Sequence, residues 1–448
     1  MKHQKLNLSS LFILLLLAVI PSCKHISDEI IDLDTLNQRP NAYLTKYPSS
    51  LILLDPAIQK TLSETFEQKV TEPWRLEKST VENTKQTIIK NIQSFKEKPG
   101  FSENKQAHKK EWIKTIESDI NITDYPNFIQ KAITVKNSNL RLIPTFKPVL
   151  PHFKHDGGGF PFDRAQNSAI LAGTPILVCH VNKKRNWVYV ISSFAEGWID
   201  IRDIAYTGPK FLKEYQSFNK TIAITSEDTD LYTNSGEYLY TAKIGSRYKF
   251  IKETKLFYIV AVPSKSKKRY AYFQNVKIRK NKADYYPLGL TYTNIVKIAD
   301  ELAGKPYGWG GLYGNRDCSA MIKDLFTPFG IWLPRNSSAQ AKTSGIFVNL
   351  KTLPEESKKQ IILDSGIPYL TLIWYPGHIM LYIGEHKKEP LIFHNIWGIR
   401  TKDKLKRKII GQSVITTLEP GKHLSTSKES LLSKVEGITF LLPGFINK

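Results

Sequence analysis

Three side chains in the last third of the chain carry groups that together can break an acyl bond: Cys318, His378 and His394. Cys318 follows a glycine-rich turn and precedes an apolar stretch, 320–326, that is typical of a helix. A thiol at a helix N-terminus lies beside free backbone amides and partial positive charge, which favour the thiolate and can bind an oxyanion. These residues therefore predict a cysteine nucleophile for acyl transfer.

The two histidines occupy positions from which one can act as the base of that thiol. His378 begins an apolar strand directly after Pro376 and Gly377, and His394 ends the next apolar strand. If these strands are adjacent and antiparallel, the two imidazoles come within reach of each other. His378 would then accept the thiol proton, while His394 orients His378 and fixes its tautomer. The alternative is a buried cysteine on an apolar helix with two structural histidines.

The other cysteines limit what Cys318 can do. The chain contains three cysteines in all, at positions 23, 179 and 318. Cys179 lies in an apolar, strand-like run and is predicted to be a small buried hydrophobic residue. A disulfide between Cys179 and Cys318 remains an alternative, and it would abolish the chemistry of Cys318.

The N-terminus has the pattern of an export signal. Lys2 and Lys5 precede an apolar run, 11–20, that is too short to span a bilayer, and small residues follow before Cys23. We predict a signal peptide over 1–22, with Cys23 as the lipidated first residue of a membrane-anchored lipoprotein. The alternative is ordinary signal cleavage with an incidental cysteine.

The charge balance constrains the partner. The chain has 64 Lys and Arg against 41 Asp and Glu, which gives a formal net charge of +23. Such a charge favours an anionic partner, either a cell wall or a layer of lipid headgroups. Because an exported protein has little access to nucleic acid, we expect no nucleic-acid partner. A solvated basic surface without a dedicated partner is the alternative.

The elements that must position these residues change in type along the chain. The helical part has Asp55 and Pro56 at a helix start. Short runs of β-branched and aromatic residues then predict small β-barrels, and helices followed by antiparallel strands predict a C-terminal α+β domain. The predicted segments are a tether or wrapping arm over 23–50, a helical region over 51–130, barrels over 131–210 and 211–287, and the α+β domain over 288–448.

The motifs around the candidate residues resemble those of one family. Gly304-Lys-Pro-Tyr-Gly-Trp-Gly-Gly311, followed by Arg316-Asp-Cys-Ser319, resembles the nucleophile motif of the NlpC/p60 cysteine peptidases. Pro376-Gly-His-Ile-Met-Leu-Tyr-Ile-Gly384 is similar to the family's histidine strand. Phe393-His-Asn395 with Trp397-Gly-Ile-Arg400 resembles the strand that carries the third catalytic residue.

Two upstream motifs resemble the same family. Phe160-Pro-Phe-Asp163 with Gln166, and Glu196-Gly-Trp198, resemble the first bacterial SH3 (SH3b) domain of a subgroup of the family, and the helical region resembles its stabilising domain. The resemblance implies an α+β fold: a papain-like catalytic domain preceded by two SH3-like barrels and a mainly helical N-terminal region.

The resemblance also implies roles for individual residues. Cys318 corresponds to the family's nucleophile, His378 to its base and His394 to its third, orienting residue. Tyr307 corresponds to a tyrosine whose hydroxyl helps to line the oxyanion hole, and the alternative is an aromatic residue with a packing role only.

Further residues correspond to substrate-binding positions. Asp317 and Ser319 match positions that help to bind the free amino end of a short stem peptide, although Asp317 is also suited to be a helix N-cap. Ala320 departs from the glycine that is common in the family after Cys-Ser. Arg335 could clamp a substrate carboxylate or brace a loop, and Glu196 could pair with a substrate ammonium or be solvated.

The implied function is hydrolysis of peptidoglycan stem peptides between γ-D-glutamate and a diamino acid, through an acyl-enzyme, at the cell envelope. No pair of His, Cys, Asp and Glu has convincing metal-ligand spacing, and no cofactor is expected. Two alternatives remain: a non-catalytic peptidoglycan-binding lipoprotein, and an acyltransferase on the same fold.

Overall fold

The computed structural model has the α+β architecture expected from the sequence. The predicted signal peptide 1–22 and Cys23 lie outside the residues that it describes. In the described part of the chain, no helix is both long and apolar enough to cross a bilayer. The described residues are 29–46, 51–154, 158–401, 407–424 and 430–442.

The segment 23–50 was predicted to be a tether or a wrapping arm. Its described residues form an arm that packs against the C-terminal domain. It begins with the short helix α1 (Ile31–Thr35). The Asp32 carboxylate accepts hydrogen bonds from the backbone amide and the hydroxyl of Thr417, at 2.7 and 2.8 Å. Gln38 exchanges two hydrogen bonds with the backbone of Ile415. The arm is therefore held on the C-terminal domain by specific hydrogen bonds.

The helical region begins where the sequence predicts. The Asp55 carboxylate accepts hydrogen bonds from the backbone amides of Ala57 and Ile58, and Pro56 occupies the first turn. The apolar stripe of the longest helix, which includes Ile88, is buried in one hydrophobic core with residues of the first barrel. The helices of this region are α2 (Pro56–Thr71), α3 (Lys78–Glu97) and α4 (Lys110–Ile120).

The first barrel is a seven-stranded antiparallel sheet whose inward side chains, such as Val188, Val190 and Ile199, form its core. Its strands are β1 (Gln130–Thr134), β2 (Ser138–Arg141), β3 (Gln166–Ile170), β4 (Pro175–Val181), β5 (Trp187–Ile191), β6 (Glu196–Asp200) and β7 (Ile204–Tyr206). The strand order is β3-β2-β6-β5-β4-β1-β7.

The second barrel follows helix α5 (Pro209–Ser217). It combines a five-stranded sheet with a two-stranded one around a separate apolar core. Its strands are β8 (Thr221–Ile224), β9 (Thr229–Tyr232), β10 (Tyr238–Ala242), β11 (Arg247–Glu253), β12 (Phe257–Lys265), β13 (Ala271–Arg279) and β14 (Ala283–Tyr286). The strand orders are β13-β12-β11-β8-β14 and β10-β9.

The C-terminal domain is a six-stranded antiparallel sheet with helices against it. The helices are α6 (Tyr292–Leu302), α7 (Cys318–Phe326), α8 (Ser337–Thr343), α9 (Glu355–Ser365) and α10 (Leu431–Lys434). The strands are β15 (Gly345–Asn349), β16 (Thr371–Tyr375), β17 (His378–His386), β18 (Glu389–Arg400), β19 (Arg407–Thr416) and β20 (Gly437–Leu441). The strand order is β15-β20-β16-β17-β18-β19.

Packing in this domain sets the position of the candidate nucleophile. The apolar side chains of α7, including Met321 and Leu325, share one core with Ile379 and Leu381 of β17 and Phe393 of β18. Burial of this apolar surface is the dominant force that holds the helix on the sheet. The N-terminus of α7 therefore lies close to the strands that carry the candidate histidines.

Candidate active site

Cys318 is the first residue of helix α7, as the sequence predicts. The preceding residue, Asp317, is the N-cap, and its carboxylate accepts a hydrogen bond from the amide of Ala320 at 2.9 Å. The turn before it has positive φ at Gly310 (59°) and Gly311 (84°), a conformation that glycine adopts without steric strain. The glycine-rich sequence thus allows the sharp turn that presents the sulfur at a helix start.

The two histidines lie on one face of neighbouring strands. Leu381 of β17 lies opposite Phe393 of β18 in the antiparallel ladder, so His378 and His394 occupy diagonal positions on the same side of the sheet. His378 Nε2 and His394 Nδ1 are 2.9 Å apart. The predicted contact between the two imidazoles is therefore present, and both rings are buried.

A threonine that the sequence analysis did not identify continues this chain of contacts. Thr416 Oγ1 donates its proton to the carbonyl oxygen of Thr417 at 2.7 Å and lies 3.1 Å from His394 Nε2. Because a hydroxyl carries one hydrogen, Thr416 can only accept from His394, which must carry its proton on Nε2. The other nitrogen of His394 then accepts from His378 Nε2–H. This arrangement leaves His378 Nδ1 unprotonated and available as a base.

The candidate residues share one cleft. Tyr307, Cys318 and His378 line a cavity of about 720 Å³, together with aromatic side chains of the first barrel and of the C-terminal domain. The backbone amide of Ile379, next to His378, is directed at the Cys318 sulfur. A second cavity of about 690 Å³ lies between the domains, but neither Cys318 nor His378 lines it.

Aromatic rings form the mouth of this cleft. Phe162 of the first barrel packs edge-on against Trp309, with ring centroids 5.2 Å apart, and against Trp397 at 6.4 Å. Tyr307 also contacts Trp397, at 6.0 Å between centroids. The first barrel therefore narrows the cleft with a side chain of its own.

The electrostatics of the resting site differ from the expected thiolate. Burial raises the pKa of the Cys318 thiol to about 12, and the nearby charge of Asp317 adds to this, although the amides of Ile379 and Ser319 oppose it. Burial also lowers the pKa of His378 to about 4, against a smaller opposite effect of Asp317. The amide of Ser319 at the helix N-terminus lowers the thiol pKa as expected, but desolvation outweighs this effect and the net shift is upward. Burial therefore favours the neutral form of both the thiol and the imidazole.

Tyr307 lies in the cleft close enough to Cys318 for the two groups to interact. Burial raises the pKa of Tyr307 well above its ordinary value, with smaller contributions from Cys318 and Asp317. The phenol is therefore a proton donor throughout the physiological range. Tyr307 lines the same cleft as Cys318, and its role in the oxyanion hole stays a prediction.

The predicted substrate-binding residues Asp317, Ser319 and Arg335 bind one another instead of facing the cleft. Arg335 donates two hydrogen bonds to the Asp317 carboxylate, at 2.6 and 3.0 Å, and one to Ser319 Oγ at 2.9 Å. Its Nε donates to Ser168 of the first barrel. Burial raises the pKa of Asp317, but Arg335 more than compensates and lowers it overall. These contacts brace the nucleophile helix, which is the loop-bracing alternative for Arg335, and the substrate-binding roles of the three residues stay predictions.

Glu196 is not in the cleft. Its carboxylate forms hydrogen bonds with Tyr189 and with Thr87 of α3, and its backbone carbonyl accepts from Asn167 at 2.7 Å. Burial raises the pKa of this carboxyl group. The prediction that Glu196 reaches a substrate ammonium is therefore not supported, because its side chain is turned towards the helical region.

The second barrel also contacts the nucleophile turn. Arg316 donates hydrogen bonds to both carboxylate oxygens of Glu227, at 2.8 and 3.1 Å, and to the backbone carbonyl of Ile244. Its Nε donates to Asp324 of helix α7 at 2.7 Å. All four side-chain contacts are buried, so the turn before Cys318 is fixed from two directions.

The proposed alternative of a disulfide is contradicted. Cys179 and Cys318 are both free thiols. Cys179 is fully buried in strand β4, as predicted for a small hydrophobic residue, and burial raises its pKa to about 12.

Comparison with family profiles divides the chain into four matched segments. The NLPC_P60 N-terminal stabilising domain matches residues 8–125, and the NlpC/P60 family itself matches residues 304–409. An SH3 domain of the SH3b1 type matches residues 148–200, and one of the SH3b2 type matches residues 209–255.

Solved structures include similar proteins. An NlpC/P60 endopeptidase from Photobacterium damselae subsp. piscicida is 25% identical, with a TM-score of 0.81, over 92% of this chain and 98% of that one. An NlpC/P60 family protein from Bacillus cereus ATCC 10987 is 19% identical, with a TM-score of 0.45, over 62% of this chain and 83% of that one. No curated protein sequence matches the chain. In chain order, the matches are the stabilising domain, the two SH3b domains and the NlpC/P60 segment that contains Cys318 and His378, so the chain has the domain composition of an NlpC/P60 family protein.

Proposed function

We propose that the protein is a cysteine peptidase that hydrolyses peptidoglycan stem peptides at the bond between γ-D-glutamate and a diamino acid. One observation carries the proposal above all: the 2.9 Å contact between His378 and His394 in the cleft that also contains Cys318 at the start of α7. The endopeptidase from Photobacterium damselae, with its similar structure, supports the reaction class.

The neutral resting pair determines the first chemical step. Because the thiol and the imidazole are both uncharged, the thiol loses its proton to His378 Nδ1 as its sulfur attacks the peptide carbonyl carbon. The imidazolium that forms is stabilised by its hydrogen bond to His394, which in turn donates to Thr416. This step gives a tetrahedral intermediate with a negatively charged oxygen.

The intermediate then collapses to an acyl-enzyme. Backbone amides at the start of α7 and the Tyr307 hydroxyl are the donors available for the oxyanion. As the C–N bond breaks, His378 returns its proton to the departing amine of the diamino acid, and a thioester to Cys318 remains. Water attacks the thioester, its proton passes to His378, and the thiolate that leaves is reprotonated.

The first SH3b domain contributes Phe162 to the cleft and binds Arg335, which braces the nucleophile helix. Phe162 of the first barrel narrows the cleft, which favours short, thin peptide substrates over bulky ones. Asp317, Ser319 and Arg335 hold the nucleophile helix through hydrogen bonds to one another.

The proposed location is the cell envelope, where peptidoglycan is found. The export signal over 1–22 and a lipid anchor on Cys23 rest on the sequence pattern alone. The net charge of +23 suits an anionic wall or membrane surface.

The decisive test incubates the protein with L-Ala-γ-D-Glu-diaminopimelate and follows the products by mass spectrometry. We expect release of free diaminopimelate and the L-Ala-γ-D-Glu dipeptide, with the mass of one added water. Cys318→Ala is expected to abolish cleavage, because no other residue of the cleft can form the thioester. Cys179→Ala is the matched control, since that thiol is buried in β4 away from the cleft.

The outcomes separate the alternatives. Equal activity of Cys318→Ala and the wild type would exclude the cysteine mechanism. Binding of peptidoglycan without any cleavage by the wild type would favour a non-catalytic wall-binding protein. Products that carry the mass of an added amine or alcohol instead of water would identify an acyltransferase.

A further inference from the structure

The cleft has a basic wall that no step of the proposed mechanism uses. Among the described residues that line the cavity, five are cationic and a single one, Glu436, is a carboxylate. Such an imbalance in a concave site gives a positive potential that attracts anions. We define the basic wall by its residues: Lys351, Lys358, Arg400, Arg407 and Lys434.

Lys358 is the buried member of the basic wall, and its ammonium contacts carbonyl oxygens only. Its side chain is only 4% exposed, and its ammonium donates to the carbonyl oxygens of Ser433 and Val435, at 3.2 and 2.7 Å. These contacts use two of its three N–H groups. No carboxylate of the described residues lies within ion-pair distance of it, whereas buried lysines are normally paired with a negative group.

The basic wall is close to the reacting groups. The amide of Glu436, next to the Val435 carbonyl that Lys358 contacts, donates to Trp374 at 3.0 Å. Trp374 lies near the end of β16, and a short turn leads from there to His378 at the start of β17. On another side, the charge of Arg407 acts on Tyr307, and its guanidinium lies over the Phe162 ring.

We propose that Lys358 anchors a carboxylate-binding subsite for the part of the substrate that leaves as the amine. This inference rests on the proposed function. At a γ-D-glutamyl–diamino acid bond, the leaving portion is the more anionic one, because it carries the carboxylate of the diamino acid and, in diaminopimelate, a second one. A buried ammonium that has no carboxylate partner among the described residues is complementary to these groups.

The subsite predicts a preference between substrates that differ only in charge. A peptide whose diaminopimelate carboxylates are amidated lacks the anion for Lys358 and leaves the ammonium unpaired. A peptide with lysine in this place keeps its α-carboxylate but lacks the second carboxylate of diaminopimelate. We expect both to be poorer substrates than the peptide with free carboxylates.

The experiment compares three tripeptides with the wild type: the free acid, the form amidated on diaminopimelate, and the form amidated on the α-carboxyl of D-glutamate. We expect amidation on diaminopimelate to lower kcat/KM about tenfold or more, mainly through KM, as for loss of a charge-assisted hydrogen bond. Amidation on D-glutamate is expected to have a much smaller effect. Equal rates with all three peptides, or greater sensitivity to amidation on D-glutamate, would overturn the assignment.

A variant tests the residue itself. Lys358→Met keeps the length of the side chain without its charge and is expected to cleave the free and the diaminopimelate-amidated peptides at similar rates. The matched control is Lys359→Met, because Lys359 is on the same helix but pairs with Glu389 and does not line the cleft. If Lys358 had only a structural role, Lys358→Met would lower the cleavage rates of both peptides equally and would keep the wild-type preference for the free acid. That result would contradict the subsite.

Binding gives a second readout that does not depend on turnover. Calorimetry with Cys318→Ala is expected to show weaker binding of the diaminopimelate-amidated peptide than of the free acid. Equal affinities overturn the subsite, even if no peptide is cleaved by the wild type. Absence of cleavage with a clear preference in binding would instead overturn the proposed hydrolase and leave the subsite standing.

Discussion

At the scale of single residues, burial and hydrogen bonding decide how the site holds its protons. Burial disfavours both the thiolate of Cys318 and the imidazolium of His378, so the pair is neutral before substrate binds. The contacts from Thr416 through His394 select the tautomer of His378 that can accept a proton from the thiol. The site is therefore arranged for proton transfer during attack and not for a stored ion pair.

This arrangement predicts an unusually acid-tolerant rate. His378 must be unprotonated to act as a base, and its protonated fraction rises as the pH falls through its pKa of about 4. We expect kcat/KM, which reports the groups of the free enzyme, to stay nearly constant from neutral pH down to about pH 5 and to halve near pH 4. An ordinary histidine would halve it near pH ~6.5. The measurement is the pH profile of kcat/KM, and a midpoint near the ordinary value would contradict the burial argument.

The kcat and KM of two variants test Thr416 as a positioning residue. Thr416→Val removes the acceptor of His394 Nε2–H, which leaves a buried donor unsatisfied and loosens the tautomer of both rings. We expect kcat to fall about tenfold with little change in KM, in line with ~1–3 kcal/mol for such a loss. Thr416→Ser keeps the hydroxyl and should restore most of the rate. Wild-type kcat in Thr416→Val would show that the contact has no catalytic consequence.

The residues that could be predicted from the sequence are those fixed by local motifs. Cys318 and His378 stand beside glycine-containing turns, and the alternation of strand residues put His394 on the same face. Asp317 and Arg335 were assigned to the substrate because a sequence does not reveal that they pair with each other across an intervening helix. Thr416 and Lys358 could not be found, because their roles come from contacts with distant segments.

At the scale of elements, helix α7 is held by more than its own apolar face. Arg316, two residues before the nucleophile, is buried and joins Glu227 of the second barrel to Asp324 of the helix. The second SH3b domain therefore supports the turn from which Cys318 projects. A barrel that served for wall binding alone would not need this buried ion pair.

Removal of one partner should destabilise the protein and misplace the nucleophile. Glu227→Ala leaves the Arg316 guanidinium buried with an incomplete set of partners, and we expect a loss of about 3–5 kcal/mol in the free energy of unfolding. Activity should fall with it, because the turn before Cys318 loses a support. Denaturant unfolding and peptide cleavage, measured on the same preparation, check both effects.

The neighbouring acid provides the control. Asp228 pairs with Lys243 and Lys305, but its side chain is 48% exposed. Exposed pairs contribute about 0–1 kcal/mol, so Asp228→Ala should change stability and activity little. Similar losses in both variants would mean that the burial of the Arg316 pair has no special importance.

The strand that begins at His378 was predicted from its continuous apolar residues and is present as β17 (His378–His386). Two other strands of the same sheet, β15 and β19, were missed. Strand β19, residues Arg407–Thr416, was not predicted, because polar residues and Gly411, with φ of 69°, interrupt its alternation. This strand carries Thr416, so the missed element and the missed residue have the same cause.

At the scale of the whole molecule, segments from both barrels meet at the nucleophile turn. Gln166 of the first barrel donates to the Gly310 carbonyl at 3.0 Å, and Ser168 accepts from Arg335. The second barrel holds Arg316, and the N-terminal arm holds the residues beside Thr416. The domain order in the sequence indicated the parts, but these contacts join residues far apart in the chain and could not be predicted.

The close contact between Gly311 and the first barrel gives a prediction about the packing of the domains. Gly311 has a φ of 84°, and a Cβ atom built on it would lie 2.4 Å from the Ala169 side chain of the first barrel. Gly311→Ala must therefore push the first barrel away from the nucleophile turn, which weakens the contact of Gln166 with Gly310. Because a displacement of about 1 Å can cost ~10²-fold in rate, we expect a large loss of kcat/KM in a folded protein.

Gly304→Ala separates this steric effect from backbone strain. Gly304 has a similar φ of 71°, but a Cβ atom there would meet nothing within 4 Å. Both variants share the strain of a left-handed alanine, about 1–2 kcal/mol, and differ only in the clash with the barrel. We expect Gly304→Ala to retain most of the activity and Gly311→Ala to lose it, with X-ray scattering in solution reporting any shift of the barrel. Equal activities of the two variants would mean that the fit of the first SH3b domain against the turn does not control catalysis.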